Sequence, residues 1–251
     1  MTYKEYMENF DATTAKNKIV EWIRKWFAAN APENAIAVVG ISGGKDSSVV
    51  ATLCAEALGR ERVFGLLMPC AVQTDIQYAY DLCNFLNINF NEIDIFNLYT
   101  LASYYVEQLC EHCTEQTKIN LKPRLRMTML YAFSQSLNGR VACTDNLSES
   151  YVGYSTQWGD NVGDFAPIAN YTSDEVIAIG HALGLPEKFL IKPPSDGLSG
   201  KTDEEAFGFT YQQLNEYIRL NRCDDKETRE KIDARHNSTE FKRKPIASFR
   251  Y

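Results

Sequence analysis

Apolar residues recur along this chain at two spacings, one helical and one of unbroken short runs. Over residues 14–29, Ile19, Val20, Ile23, Trp26 and Phe27 share one face and predict an amphipathic helix. Residues 35–41 are a continuous apolar run, as expected of a strand buried on both faces. A helix over residues 47–58 follows and Gly59 stops it. Residues 63–68 read as a second strand, ended by Pro69. Thr74 and Asp75 offer caps for a helix to about residue 87. Residues 88–95 read as a third strand and 96–110 as mostly helical. Pro123 fits the first turn of a further helix ending near 137, along which Leu121, Leu125, Met129, Phe133 and Leu137 fall every four residues. Residues 140–144 predict a fourth strand, and a helix over 173–183 stops at Gly184. This alternation predicts an α/β fold: a doubly wound, mainly parallel sheet with helices on both faces. Ligands of such sheets bind beyond the carboxyl ends of the strands, so Ser42, Pro69 and Thr144 should border one crevice.

Between the first strand and its helix lies Ser42-Gly43-Gly44-Lys45-Asp46-Ser47-Ser48. Two glycines let the backbone approach a ligand with its N–H groups turned inward, and the helix start carries partial positive charge. The turn can therefore hold an anion. Asp46 in such a nest makes sense if a divalent cation lies between its carboxylate and a phosphate. A Walker A loop would need glycine at 39 and serine or threonine at 46, where this chain has Val39 and Asp46. No G-x-G-x-x-G follows the strand, so nicotinamide hydride transfer is not indicated.

Composition narrows the setting. The 251 residues suffice for a substantial core as one domain. The net charge of −7 disfavours general nucleic-acid binding and means that a phosphate-rich ligand needs a local basic site or a metal. Seven cysteines without a signal-like N-terminus suggest reduced thiols in a cytoplasmic protein, and no apolar run is long enough to span a bilayer.

A second motif, residues 144–149 (Thr-Asp-Asn-Leu-Ser-Glu), leaves the fourth strand. Glu149 would be a second carboxylate placed to share Mg2+ with Asp46. The competing reading is a solvated acidic loop, or a helix capped by Asp145 with Glu149 in its first turn. Residues 153–164 combine aromatics, glycines and acids in a long connection, as binding loops do. Residues 193–205, rich in proline, glycine and acids, read as a lid over a bound nucleotide.

The S-G-G-x-D-S turn resembles the pyrophosphate loop of the N-type ATP pyrophosphatases, whose fold is adenine-nucleotide α-hydrolase-like. The ordered set is more specific: that loop, residues 122–127 (Lys-Pro-Arg-Leu-Arg-Met), Thr144-Asp145 with Glu149, residues 153–164, Pro194-Ser195-Asp196-Gly197-Leu198, Thr202-Asp203-Glu204-Glu205, Tyr211 with Tyr217, and Lys242-Arg243-Lys244-Pro245. Together these resemble the ammonia-dependent NAD synthetases over residues 14–249. The resemblance implies amidation of deamido-NAD+ by ammonia. The nicotinate carboxylate is adenylated by ATP, pyrophosphate leaves, and ammonia displaces AMP.

Carried over by position, the resemblance implies that Gly40, Ile41, Ser42, Gly43, Gly44, Lys45, Asp46 and Ser47 hold ATP phosphates, with Thr144 and Ser195 also on ATP. Asp46 and Glu149 would hold Mg2+ and, with Lys45, stabilise the leaving pyrophosphate. Arg124, Asp164, Phe241, Lys242 and Gln157 would fall on the dinucleotide. Three positions depart from the pattern. Gln157 and Ser173 stand where many relatives have lysine, on the dinucleotide and on ATP respectively, and Phe241 stands where they have histidine. The resemblance also implies a homodimer, to which Trp22, Trp26 and the long helices could contribute. The whole chain, residues 1–251, is expected to be a synthetase domain without a glutamine amidase domain, using free ammonia.

Other features are expected to be structural. Cys110-Glu111-His112-Cys113 lacks a second pair to complete a zinc site. His181 should lie on the surface or in the core, and Tyr104-Tyr105 should pack.

Overall fold

A computed structural model describes residues 1–110, 113–191 and 203–249. Four helices and three strands open the chain: α1 (Tyr3–Glu8), α2 (Ala12–Asn30), β1 (Ala37–Gly40), α3 (Lys45–Leu58), β2 (Val63–Leu67), α4 (Gln77–Leu86) and β3 (Asn89–Glu92). There follow α5 (Phe96–Leu109), α6 (Glu115–Ser136), β4 (Arg140–Val141), α7 (Leu147–Tyr151), α8 (Ser173–Ala182), α9 (Asp203–Phe207), α10 (Tyr211–Leu220) and α11 (Lys226–Ser238). The four strands form one parallel sheet in the order β3-β2-β1-β4.

The sheet separates two apolar clusters, and strand alternation assigns residues to each. Ala37 and Val39 face α2, α3 and α8, among Ile23, Phe27, Val50, Leu53 and Ile179. Val38 and Leu66 face α6, among Met127, Leu130 and Val141. A third cluster, Val152, Phe207, Phe209, Leu214 and Ile232, joins α9, α10 and α11 to the end of α7.

Three expectations need correction. The helix with Pro123 begins eight residues earlier, at Glu115, because Thr114 caps it by accepting the Thr117 N–H at 3.2 Å. Pro123 sits buried inside it, packed toward Gly159. The buried seam of α6 is Pro123, Met127, Leu130 and Ser134, not the every-fourth-residue row. Steps of four advance about 40° around a helix with 3.6 residues per turn, so such a row spirals off the core face, and Leu137 ends 42% exposed. The fourth strand is shorter than residues 140–144. Beyond Val141 the backbone turns to a new partner, Cys143 N–H donating to Phe165 O at 2.9 Å, with a parallel bridge between Ala142 and Phe165. Tyr104 and Tyr105 do not pack inward; both are exposed on α5, a helix with no buried residue.

Among the described residues no helix is long and apolar enough to cross a membrane. Cys110 is exposed, Cys113 is half-buried, and all seven cysteines are free thiols. His181 lies near the surface, 3.8 Å from Glu187.

Candidate active site

The parallel sheet brings the carboxyl ends of β1, β2 and β4 to one edge, and the glycine turn and the acids converge there. Gly43, at φ +76°, turns the chain out of β1, and a Cβ on it would stand 2.7 Å from Tyr78 Cβ. Glycine is required on both counts. Ser42 Oγ accepts the Gly44 N–H at 3.2 Å and lies 3.1 Å from Ser47 Oγ, while Ser47 and Ser48 hydroxyls donate to Gly44 O. Gly44 is the N-cap of α3 and supplies no side-chain cap, so the first turn of a 14-residue helix keeps backbone donors facing the crevice.

Lys45 and Asp46 are paired at 2.9 Å, with side chains 20% and 18% exposed. Asp46 Oδ1 also accepts from Asn146 Nδ2 at 3.0 Å. Asn146 is the N-cap of α7, and its Oδ1 accepts the Glu149 N–H at 3.1 Å. One amide side chain thus bonds both elements that carry the expected metal ligands, 100 residues apart in sequence for Asp46 and Asn146. The helix cap is Asn146 and not Asp145, which leaves Asp145 as a third acid at the site.

These acids press on one another. Burial raises the Glu149 carboxyl well above its ordinary range, Asp46 and Asp145 add to the rise, and Lys45 opposes it. Burial likewise raises Asp145, with Asp160 and Asp46 adding and Glu149 and Lys242 opposing. For Lys45 burial works downward, but Asp46, Glu149 and Asp203 outweigh it and carry the ammonium above its ordinary value. Carboxylates held together against repulsion are the hard oxygen donors that Mg2+ takes. Among the described residues no three His, Cys, Asp or Glu side chains make a complete cage. An ion at Asp46 and Glu149 would therefore fill its shell with phosphate oxygens and water.

The far side of the site is built by the tail. Lys242 Nζ donates to Gly153 O at 2.8 Å and Ser155 O at 2.7 Å. Burial lowers its pKa, with Asp160 and Asp145 working against the fall. Arg243 donates to Ser150 O at 3.1 Å and Tyr151 O at 3.0 Å, the last carbonyls of α7, and to Thr239 Oγ1 at 3.0 Å. Gly153, at φ +63°, lies against Thr239 so closely that a Cβ would fall 2.3 Å away. Arg124 Nε donates to Gln157 O at 3.2 Å, and its charge reaches Lys242. Arg124, Gln157 and Lys242 are thereby gathered beside the acids.

The other sequence candidates make different contacts. Asp164 pairs with the sheet edge: its Oδ2 accepts the Val141 N–H at 2.7 Å, and its own N–H donates to Val141 O at 2.8 Å. Phe241 is 58% exposed. Thr144 is half-buried at the carboxyl end of β4. Ser173 is buried; its N–H donates to Ser148 Oγ at 2.9 Å and its Oγ accepts from Asn215 Nδ2 at 3.0 Å. Ser195 lies outside the described residues, as does the expected lid up to residue 202; residues 203–205 open α9.

Asn146, Asp145, Asp160 and Tyr211 were not singled out from the sequence as site residues. Asn146 had a visible signal, since asparagine three residues before glutamate is a capping pattern. Asp145, Asp160 and Tyr211 fall in stretches that carry the resemblance, but their place at the site comes from long-range contacts.

The profile of the NAD synthase family matches residues 15–249. The chain belongs to that family. The NH(3)-dependent NAD(+) synthetase of Carboxydothermus hydrogenoformans is 41% identical over 205 residues, which are 80% of this chain and 83% of that one. Among solved structures, the NMN synthetase of Francisella tularensis has a TM-score of 0.87 at 32% identity, covering 97% of this chain and 100% of that one. The NH3-dependent NAD synthetase of Campylobacter jejuni has a TM-score of 0.79 at 29% identity, covering 96% and 100%. These likenesses agree with the parallel α/β architecture described above.

Proposed function

We propose that this member of the NAD synthase family makes NAD+ from deamido-NAD+, ATP and ammonia, releasing AMP and pyrophosphate. The observation that carries the reading is the Asn146 bridge, which sets Asp46 and Glu149 together beside the uncapped start of α3. The substrate carboxylate attacks the α-phosphate of ATP, forming a carboxyl–phosphate bond as the bond to pyrophosphate breaks. Ammonia then attacks the activated carbonyl, loses a proton, and AMP leaves with the former carboxylate oxygen.

The N–H groups of residues 42–47 and the Lys45 ammonium hold the departing pyrophosphate. Mg2+ at Asp46 and Glu149 would offset the charge on the phosphates. Arg124, Gln157 and Lys242 border the place for the pyridine nucleotide; for Lys242 the role includes shaping the 153–155 backbone it already bonds. Thr144 and Ser195 are assigned to ATP, and Asp164 and Phe241 to the outer part of the dinucleotide. The chain is assigned as one cytoplasmic synthetase domain taking free ammonia, and as a homodimer joined through α5, whose Leu98, Leu101, Tyr105 and Leu109 leave an apolar stripe exposed.

The test is formation of NAD+ and pyrophosphate from ATP, Mg2+, ammonium and deamido-NAD+. Absence of both products would remove the reading, and equal rates with glutamine in place of ammonium would remove the nitrogen donor.

A second substrate for the same chemistry has a specific support. Gln157 and Phe241 lack the charge and the imidazole that the resemblance places on the dinucleotide, while the Francisella likeness is to an NMN synthetase. Initial rates with nicotinate mononucleotide against deamido-NAD+ decide between them. A kcat/KM at least tenfold higher for the mononucleotide would make it the substrate.

A further inference from the structure

The phosphate loop carries a lysine whose side chain is long and flexible, and which the described structure holds on two sides. Asp46 Oδ2 is 2.9 Å from Lys45 Nζ on one side. On the other, the ammonium lies 5.6 Å from the centroid of the Tyr211 ring. That ring is itself fixed. Tyr211 Oη donates to Asp203 Oδ2 at 2.9 Å, its backbone N–H donates to Glu204 Oε1 at 2.8 Å, and Phe207 meets it edge-on at 5.5 Å.

The position matters because α8 supplies no cation here. Ser173, where the resemblance expects a lysine on ATP, is closed into a buried network with Ser148 and Asn215. Among the described residues, Lys45 is the cation carried by the loop itself to answer the phosphate charge. Its pairing with Asp46 does not suit that task, because a carboxylate turned to Mg2+ and phosphate no longer neutralises the ammonium in the same way. An aromatic face does suit it. The ring attracts the ammonium through its quadrupole and takes up none of its three N–H donors, so all three remain for phosphate oxygens.

We propose that Tyr211 is a positioning residue for the ATP-dependent step: its ring holds the Lys45 ammonium toward the polyphosphate, so that α10 completes the phosphate site formed by α3. The proposal rests on the ATP-site reading of the loop. Asp203, bonded to the Tyr211 hydroxyl, ties α9 to the same arrangement.

The experiment compares kcat/KM for ATP in Tyr211→Leu, Lys45→Met and the double variant, with KM for ammonium measured alongside. Tyr211→Leu is expected to lower kcat/KM for ATP about tenfold with the KM for ammonium unmoved, and to have less than about a twofold effect once Lys45 is methionine. An equal loss in both backgrounds would mean that Tyr211 acts by packing and would overturn the proposal. Should Tyr211→Leu unfold, phenylalanine and its mono-, di- and trifluorinated forms at 211 keep the shape and weaken the ring's hold on a cation stepwise. Log kcat/KM for ATP should then fall in step with fluorination, and a flat series overturns the role of the ring. If Lys45→Met leaves kcat/KM for ATP unchanged, the ATP-site reading of Lys45 fails first and the proposal falls with it.

Discussion

Asn146 shows how much one side chain can decide. Its acceptor caps a five-residue helix and its donor reaches Asp46, so truncation would disturb both. Serine at 146 keeps a good N-cap but is too short to reach Asp46. Asn146→Ser is expected to change stability by no more than about 1 kcal/mol while lowering turnover at least about tenfold, read by thermal unfolding and by pyrophosphate release. Glu149 gives a second separation. Burial and the neighbouring charges of Asp46 and Asp145 raise its folded-state pKa, so the folded chain holds a proton that the unfolded chain has lost. That contribution to stability is complete below the ordinary glutamate range and fades as pH rises through the raised value. Glu149→Gln removes the titration. Denaturant midpoints at pH 5 and pH 8 should therefore diverge, the ligand-free variant gaining on the natural protein at the higher pH although it is inactive. A variant that tracks the natural protein at both values would contradict the assignment.

At the scale of elements, the alternation of strands and helices was legible because residues 35–41 and 63–68 are continuous apolar runs with glycine and proline at their ends. The glycine turn was legible for the same reason, since Gly43 needs a backbone conformation that few other residues adopt. What escaped were elements whose stability comes from elsewhere. α11 is mostly charged and buries only Thr228 and Ile232, so it shows no apolar stripe. α7 is too short to be stable alone and depends on its caps. α1 is held by side chains 169 and 171 residues away, Tyr6 donating to Glu175 at 2.5 Å and Tyr3 to Asp174 at 2.8 Å. Glu175 is the centre of that joint: it is 1% exposed, accepts the Thr172 N–H, and meets Arg219 Nε at 2.8 Å. Removing it leaves a guanidinium without its partner. Glu175→Ala should cost about 3 kcal/mol in chemical denaturation and expose α1 to proteolysis.

For the whole molecule, the acidic balance read from composition has a spatial meaning. Acids are concentrated where α3, α7 and α9 meet, opposite a tail that brings Lys242 and Arg243 to the same site. The apolar stripe of α5 belongs to this scale too, since Leu101 and Tyr105 stay 53% and 58% exposed among the described residues. Trp26 stacks on Phe165 at 5.0 Å, while Trp22 stays 42% exposed. Leu101→Glu combined with Tyr105→Glu should convert the proposed dimer to a folded monomer, measured by light scattering and circular dichroism. A natural protein that is monomeric at tens of micromolar would count against the dimer directly.

The grip of Arg243 on the carbonyls of Ser150 and Tyr151 gives the last turn of the chain an unexpected responsibility. A short helix bearing Glu149 is moored at its front by Asn146 and at its rear by a residue close to the chain's end. Trimming the protein back past Thr239 would remove Arg243, slip the rear mooring and let that glutamate wander.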